Sequence, residues 1–321
     1  MRIAILDDYQ DAVRSLECFA RLAGHDVVVF HDTPGDPQVV AERLKGCDAV
    51  VLIRERTRFN AALIALLPDS LKLISLTGPL SGQVDLQAAH ARGITVCAGR
   101  GSGQSTPELT WALVMAGTRH VPLEDRRMRA GRWQTTIGRV LAGRTLGILG
   151  YGRIGSKVAA YGRAFGMPVL VWGREGSIER ARTDGHDIAT DQADLFARSD
   201  VLSLHLSFNA GTRGAVRASD LARMKPDALL VNTARAGIIE SGALLAALRV
   251  GRPGFAALDV FDTEPLPADD PLLAMDNVIC TPHLGYVSRD GYEVLFGDAF
   301  EHLLACAAGR PSGVLSARNP V

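Results

Sequence analysis

Aromatic residues are scarce in this 321-residue chain, at 6%. That is too few for the stacking platforms on which proteins hold single-stranded nucleic acid. Excess charge is missing too. Lys plus Arg number 35 and Asp plus Glu number 35, so no global field gathers nucleic acid or an anionic membrane. The five cysteines, Cys18, Cys47, Cys97, Cys280 and Cys306, are odd in number, far apart and without a CxxC pair. This argues against a disulfide framework and a zinc site, and fits a reducing cytoplasm. The histidines outside the motifs below show no metal-like spacing, so no metal is expected. No apolar run approaches the roughly 20 residues that a membrane span needs. The opening MRIAILDDYQ meets Asp7 and Asp8 before an apolar run can form, so no signal peptide is expected. The expected location is cytoplasmic, with neither nucleic acid nor membrane as partner.

What is present is ample core material. The apolar fraction is 47% and the charged fraction 22%, the balance of a globular chain, and the length suggests two domains. Short apolar runs at residues 2–6, 27–30, 49–53, 71–76 and 94–97 read as strands, with helix-like stretches around 10–23, 38–45, 60–67 and 84–92 between them. Such alternation predicts parallel pairing with right-handed crossovers. A glycine-rich break follows, and then Thr106-Pro107 predicts the start of a helix reaching about Ala130. A second series begins at Arg144. Strand-like runs at 145–149, 168–172, 201–206, 228–232, 255–258 and 277–280 match a Rossmann sheet in count. A last helix, 288–308, comes after that sheet is complete and is expected to pack back on the first domain. The fold class is therefore α/β with two doubly wound parallel sheets, the first smaller and flavodoxin-like.

The most specific local signal is Gly150-Tyr151-Gly152-Arg153-Ile154-Gly155, which follows the run TLGIL and opens a helix. Gly150 allows a tight turn, Gly152 lets the backbone approach a pyrophosphate, and Gly155 lets helix and strand pack closely. The helix N-terminus offers unpaired N–H groups and partial positive charge. The ribose position is unusual. An acidic residue is expected after the second strand of the series, yet Gly173-Arg174 stand there. Glycine removes the repulsion of a 2′-phosphate and Arg174 offers it a partner. Glu175 opposes this. Tolerance of NADP beside NAD is the expectation.

Together the stretches LGILGYGRIG (146–155), DVLSLHLSFNAGTRG (200–214), MKPDALLVNTARAGIIE (224–240), ALDVFDTEP (257–265) and NVICTPHLGY (277–286) resemble the D-isomer-specific 2-hydroxyacid dehydrogenases. The resemblance covers nearly the whole chain. It implies a substrate domain from residues 1–102, a dinucleotide-binding domain from 103–284, and a C-terminal segment, 285–321, returning to the first. It further implies a cleft at the hinge, a homodimer, and the reversible reduction of a 2-keto acid to a D-2-hydroxy acid by NAD(P)H. Carried over residue by residue, it makes Arg235 the group that binds substrate carboxylate and carbonyl. His283 becomes the acid/base, and Glu264 its partner. Arg235 and His283 both follow strand ends, where open parallel sheets bind ligands. Arg153 and Ile154 would meet the pyrophosphate. Thr212, Thr233 and Ala234 would line the groove, Asp259 would bond the nicotinamide amide, and Gly285 would approach its ring. His205 reads as a structural strand-end residue.

The chain departs from the family pattern after its fourth strand. A Gly-x-Gly turn is usual there, but this sequence has Gly78-Pro79-Leu80-Ser81-Gly82. Pro79 has no N–H to give. A carboxylate would then rely on Arg235, the turn at Gly78 and the N–H groups of Leu80 and Ser81. Arg54 in VLIRERT is a further candidate for the cleft, with a surface role equally open. The chain ends at Val321, so the extra regulatory domain of some phosphoglycerate dehydrogenases is expected to be absent. Two other readings stand beside the reductase: a nucleotide-sensing, corepressor-like protein on the same fold, and a hydrolase with NAD as internal cofactor. A sensor has no need of a proton donor, and the hydrolase has no visible metal or nucleophile constellation.

Overall fold

A computed structural model of the chain describes residues 1–101 and 103–316. The chain divides into two compact units, one made of Met1–Ser102 with the chain from Ser288 onward, the other of Gly103–Val287.

The first unit carries the strands β1 (Arg2–Ile5), β2 (Asp26–Val29), β3 (Ala49–Leu52), β4 (Leu73–Leu76) and β5 (Thr95–Ala98). They pair in parallel in the order β2-β1-β3-β4-β5. β3 and β4 are wholly buried, as strands covered on both faces must be, which is why their sequences are continuous apolar runs rather than alternating ones. Helices α1 (Pro37–Arg43), α2 (Ala61–Leu66) and α3 (Leu86–Ala91) begin where the Asp36, Asn60 and Asp85 side chains accept a backbone N–H two or three residues on. The helix expected over 10–23 is instead two short 3-10 segments, Val13–Ser15 and Glu17–Leu22. Carboxylates take the donors that a continuous helix would use. Asp8 accepts from the N–H groups of Ala12 and Val13 at 3.1 and 3.0 Å, and Glu293 from those of Glu17 and Cys18 at 2.6 and 2.9 Å.

The second unit opens with α4 (Ser105–Thr118) and α5 (Val121–Arg129), where one long helix was expected. His120 between them has φ +55°, and Pro122 has no N–H for a continuing ladder, so the helix stops and restarts. Nor does Thr106 cap α4, since it lies inside the helix. Then come β6 (Leu146–Leu149), α6 (Arg153–Ala164), β7 (Val169–Trp172), α7 (Glu175–Thr183), β8 (Asp187–Ile188), α8 (Gln192–Arg198), β9 (Val201–Leu204), α9 (Ala218–Leu221), β10 (Leu229–Asn232), α10 (Ala243–Arg249), β11 (Phe255–Leu258) and β12 (Val278–Cys280). The sheet is parallel with seven strands, β12-β11-β10-β9-β6-β7-β8. The strand beyond the expected six is β8, whose two residues are too short for an apolar pattern. Strand order reverses between β6 and β9, and the crevice outside the carboxyl ends at such a reversal is where these sheets take ligands.

The last helix, α11 (Arg289–Ala307), belongs to the first unit and is capped by Ser288. Phe296, Phe300 and Leu303 are completely buried, each worth roughly 1.5–3 kcal/mol in removed apolar surface. The Ser75 hydroxyl on β4 donates to the Ala299 carbonyl at 2.9 Å. Among the described residues no helix is long and apolar enough to cross a membrane.

Candidate active site

The glycine turn sits between β6 and α6, next to the strand-order reversal. Gly150 has φ +95°, and a Cβ there would lie 2.9 Å from the His205 carbonyl group. A Cβ on Gly155 would lie 2.3 Å from the Gly150 carbonyl oxygen, so helix and turn touch backbone to backbone. At Gly152 an added Cβ would meet nothing within 4 Å. This is the one glycine of the three that faces open space, at the N-cap of α6, where Arg153 and Ile154 begin the helix. A close-packed turn with an open step over a helix N-terminus fits a dinucleotide pyrophosphate. At the end of β7, Gly173 packs against Gly150, its added Cβ 3.5 Å from Gly150 Cα. Arg174 follows as an exposed residue at the N-cap of α7.

Arg235, Glu264 and His283 stand on three loops at the carboxyl ends of β10, β11 and β12. His283 Nδ1 lies 2.7 Å from Glu264 Oε2, and Glu264 Oε1 accepts the Phe261 N–H at 2.9 Å. Burial alone would raise the Glu264 carboxyl. The hydrogen bond and charge of His283, the Phe261 N–H and the charge of Arg235 outweigh it and hold the group below its ordinary range. Arg235 is tethered through Nη1 to the Ala234 carbonyl at 2.6 Å.

Asp259 is fully buried beneath this cluster. Its carboxylate accepts from Thr281 Oγ1 at 2.6 Å, Leu284 N at 2.7 Å and Gly285 N at 2.8 Å. Burial pushes its carboxyl up, against the pull of these three donors. Asp259 was expected to face the nicotinamide amide; the structure shows its carboxylate turned into the 281–285 loop. That loop needs holding, because His283 has φ +52°. A left-handed non-glycine residue costs about 1–3 kcal/mol and persists only where its surroundings over-determine it.

Two further sets of contacts were not foreseen. From α4, the Thr106 hydroxyl donates to the Gly285 carbonyl at 2.7 Å, and the Thr110 hydroxyl bonds that of Thr233 at 2.7 Å. One helix face thus fixes two of the site loops. From α7, Arg180 Nη2 donates to the Tyr151 carbonyl inside the glycine turn at 3.0 Å. The only sequence signal was residue type, since the partners lie 29 to 179 positions away. Thr212 is engaged within its own turn, its hydroxyl donating to the Ser207 carbonyl at 2.6 Å. Ala234 N donates to Asn232 Oδ1 at 3.0 Å. His205 bonds Ser203 Oγ through Nε2 at 2.9 Å, and burial pushes its imidazole down to about 4, so it is neutral at ordinary pH.

In the first unit the expected substrate residues gather at the carboxyl ends of β3 and β4. Arg54 has φ +51°, and its guanidinium lies over the next turn, with Nη1 3.4 Å from the Pro79 carbonyl. Gly78 has φ +110°, a backbone conformation that L side chains rarely adopt, and an added Cβ would also make the Arg54 guanidinium move. The Ser81 N–H, expected to be open to a carboxylate, donates instead to Gln83 Oε1 at 2.6 Å. Leu80 packs against the core of this unit. One group among the described residues, Asp8, Asp11 and His31, brings three potential metal-ligand atoms within 4.8 Å of one another, where no metal was expected. The Asp8 carboxylate is already bonded to the turn at residues 12–13.

The family model for "D-isomer specific 2-hydroxyacid dehydrogenase, NAD binding domain" matches residues 111–285. The chain is 37% identical over 297 residues to a glyoxylate reductase of Aeropyrum pernix, covering 89% of this chain and 88% of that one. It is 37% identical over 247 residues to a D-3-phosphoglycerate dehydrogenase of Methanocaldococcus jannaschii, covering 76% of this chain and 47% of that one. It therefore spans about half the length of that relative but most of the first. A solved phosphoglycerate oxidoreductase from Vibrio cholerae O395 superposes with a TM-score of 0.93 at 49% identity, over 96% of this chain and 99% of that one.

Proposed function

The chain belongs to the D-isomer-specific 2-hydroxyacid dehydrogenase family and is an oxidoreductase of that family using NAD(P), and from this premise we propose that it interconverts a 2-keto acid and its D-2-hydroxy acid, with Arg235, Glu264 and His283 as the working groups. The observation that carries the proposal is the 2.7 Å pairing of His283 Nδ1 with Glu264 Oε2, in the same unit as a glycine turn suited to a dinucleotide. The names of the relatives divide between glyoxylate and phosphoglycerate, so small 2-keto acids with and without phosphate are the substrate classes to test.

Reduction requires a hydride on one face of the substrate's C2 and a proton on its carbonyl oxygen. The reduced nicotinamide, when bound, supplies the hydride. The chain's own residues do the rest. Arg235 offers a planar fork that can hold the substrate carboxylate and polarise the carbonyl. Because Nδ1–H of His283 donates to Glu264, Nε2 is the atom left to give the proton, and to accept it in the oxidation. The Glu264 carboxylate balances the positive charge of the ring while both nitrogens carry protons. Asp259 holds the loop beneath the imidazole, which keeps the donor in one place. Gly150, Gly152, Gly155 and the first N–H groups of α6 would hold the pyrophosphate. Thr212, Thr233, Ala234 and Gly285 would line the remainder of the nucleotide groove.

Two finer readings accompany this. Gly173-Arg174 supports use of NADP, because the Arg174 guanidinium is exposed and no carboxylate occupies the ribose position. A homodimer is supported by residues 130–142. This stretch has no regular secondary structure but is tied down by Thr135 to Glu124, by Arg139 to Asp227 and by Arg139 N to the Thr118 carbonyl. It nevertheless leaves Trp133 76% and Ile137 94% exposed, the side-chain types that another protein surface covers.

A panel of 2-keto acids offered with NADH and with NADPH tests the proposal. Consumption of reduced nicotinamide with formation of the D-hydroxy acid is expected. Tight cofactor binding without turnover of any keto acid would refute it and favour a nucleotide-sensing role.

A further inference from the structure

The first unit is built from two stretches of chain, one before the second unit and one after it. Two thiols meet where these stretches pack together. β5 belongs to the first stretch and α11 to the second. Ser75 on β4 is the register partner of Cys97 on β5, so their side chains leave the same face of the sheet. That face carries α11. Ser75 reaches the helix at the Ala299 carbonyl. Two helical turns further on, Cys306 Sγ lies 3.7 Å from Cys97 Sγ. Ala299, Leu303 and Cys306 follow the helical period, and Ala299 and Leu303 are wholly buried, so Cys306 stands on the inward face. The tail after α11 then closes over the sheet edge. The Ala98 N–H donates to the Gly313 carbonyl at 2.9 Å, and the Leu315 N–H to the Val96 carbonyl at 2.8 Å. Strand register, helical period and tail thus all hold the two sulfurs together.

The five cysteines are free, and these are the two whose sulfurs touch. A disulfide has its sulfurs about 2.05 Å apart. The thiols would close by about 1.7 Å, the difference from 3.7 Å, which side-chain rotation can supply. Access differs between them. Cys97 is completely buried and Cys306 half-buried. Burial pushes the Cys97 thiol up to about 12, and the neighbouring Cys306 adds to this. Cys97 therefore keeps its proton at neutral pH and is not the first to react. Cys306 is the sulfur that a small oxidant can reach, with a second thiol waiting in contact behind it.

We propose that Cys97 and Cys306 form a reversible oxidation site, at which a hydroperoxide joins them in a disulfide that staples α11 to β5. The Cys306 thiolate takes one oxygen of hydrogen peroxide. The O–O bond breaks, the sulfur becomes a sulfenic acid, and the hydroxide released takes up a proton as water. The Cys97 sulfur then attacks the sulfenic sulfur. The S–S bond forms, the S–O bond breaks, and the Cys97 proton leaves with the departing hydroxyl as a second water. Two thiols lose two electrons, and one peroxide is reduced to two waters. A dithiol reductant reverses the reaction by exchange. The two cysteines are 209 positions apart, and the whole second unit lies between them in the chain. A cross-link over so long a loop removes conformational entropy from the unfolded chain, so the oxidised form gains stability.

The test treats the reduced chain with excess hydrogen peroxide, quenches with acid, blocks the remaining thiols with N-ethylmaleimide and maps the unreduced digest by mass spectrometry. Two thiols should disappear. One cross-linked peptide pair should hold Cys97 and Cys306, at a mass two hydrogens below the sum of its parts, and dithiothreitol should restore both thiols. The thermal midpoint of the oxidised chain should rise by about 5 °C over the reduced chain. Cys306→Ser should lose both the cross-link and the shift. In Cys97→Ala, a second variant, Cys306 should stop at the sulfenic acid and take a dimedone tag that the parent takes only weakly. Peroxide that leaves all five thiols intact, or a disulfide between any other two cysteines, overturns the proposal. So does a cross-link that leaves the midpoint where it was, or a midpoint shift that persists in Cys306→Ser.

Discussion

Replacing Glu264 by Gln keeps the size of the side chain but removes its charge and one of its two acceptor oxygens. The remaining oxygen can take the Phe261 N–H or the His283 Nδ1–H, not both, so what disappears is the negative charge 2.7 Å from Nδ1 together with one acceptor. A hydrogen bond to a charged group contributes about 1.5–3 kcal/mol. Glu264 is 35% exposed and His283 18%, so water screens part of this and the lower half of the range applies. At 1.36 kcal/mol per factor of ten, the loss corresponds to about 10–40-fold in rate. Reduction uses the ring with a proton on each nitrogen, and the carboxylate is the group that balances its charge. The kcat/KM for keto acid reduction should therefore fall by about 10–40-fold in Glu264→Gln, and the gap should close as the pH falls through the lowered value of the Glu264 carboxyl, where the parent loses the same charge. Full pH–rate profiles at saturating cofactor check this. A gap that stays the same at every pH would mean that Glu264 only shapes the loop.

Stability should show the same pairing. Because the Glu264 carboxyl lies below its ordinary value of about 4.5 in the folded chain, its contribution is present above that value and is lost as the pH falls through the lower, folded value. The Tm gap between parent and Glu264→Gln should thus shrink as scans move from pH 6 toward pH 3. Gly155→Ala places a methyl 2.3 Å from the Gly150 carbonyl, and should cost about 1–3 kcal/mol in urea unfolding while weakening nucleotide binding. Arg174→Ala should raise the KM for NADPH roughly tenfold and leave that for NADH within about twofold; equal KM values for NADPH in variant and parent would end the NADP reading. The double change Trp133→Glu with Ile137→Glu should convert the proposed dimer to a monomer in sedimentation, and an unchanged sedimentation coefficient would rule this face out.

Much of the framework was legible because its signals are local. The glycine turn reads from spacing, since each glycine answers a clash or an approach within a few residues. β3 and β4 read from unbroken apolar runs that only a doubly covered sheet requires. The losses have equally physical causes. β8 is two residues long and carries no periodic pattern. The 10–23 stretch has helical periodicity, but Asp8 and Glu293 claim its backbone donors, and Glu293 lies more than 270 positions away. The break at His120 was signalled by Pro122, which cannot continue the ladder of the preceding helix. For the site, the resemblance carried by NTAR, DTEP and TPH pointed to Arg235, Glu264 and His283. The inward turn of Asp259, the grip of Thr106 and Thr110 on two loops, and the bond of Arg180 to the glycine turn are relations between distant segments, which no spacing rule contains.

The central claim is that the His283 imidazole delivers the proton to the substrate oxygen. Single-turnover reduction of a 2-keto acid by enzyme preloaded with NADPH or NADH, compared between the parent and His283→Ala, addresses it most directly, with cofactor affinity measured in parallel by nicotinamide fluorescence. The account predicts a rate lower by roughly 10²–10⁴-fold with cofactor affinity unchanged. A variant that reduces the acid at close to the parental rate would contradict it.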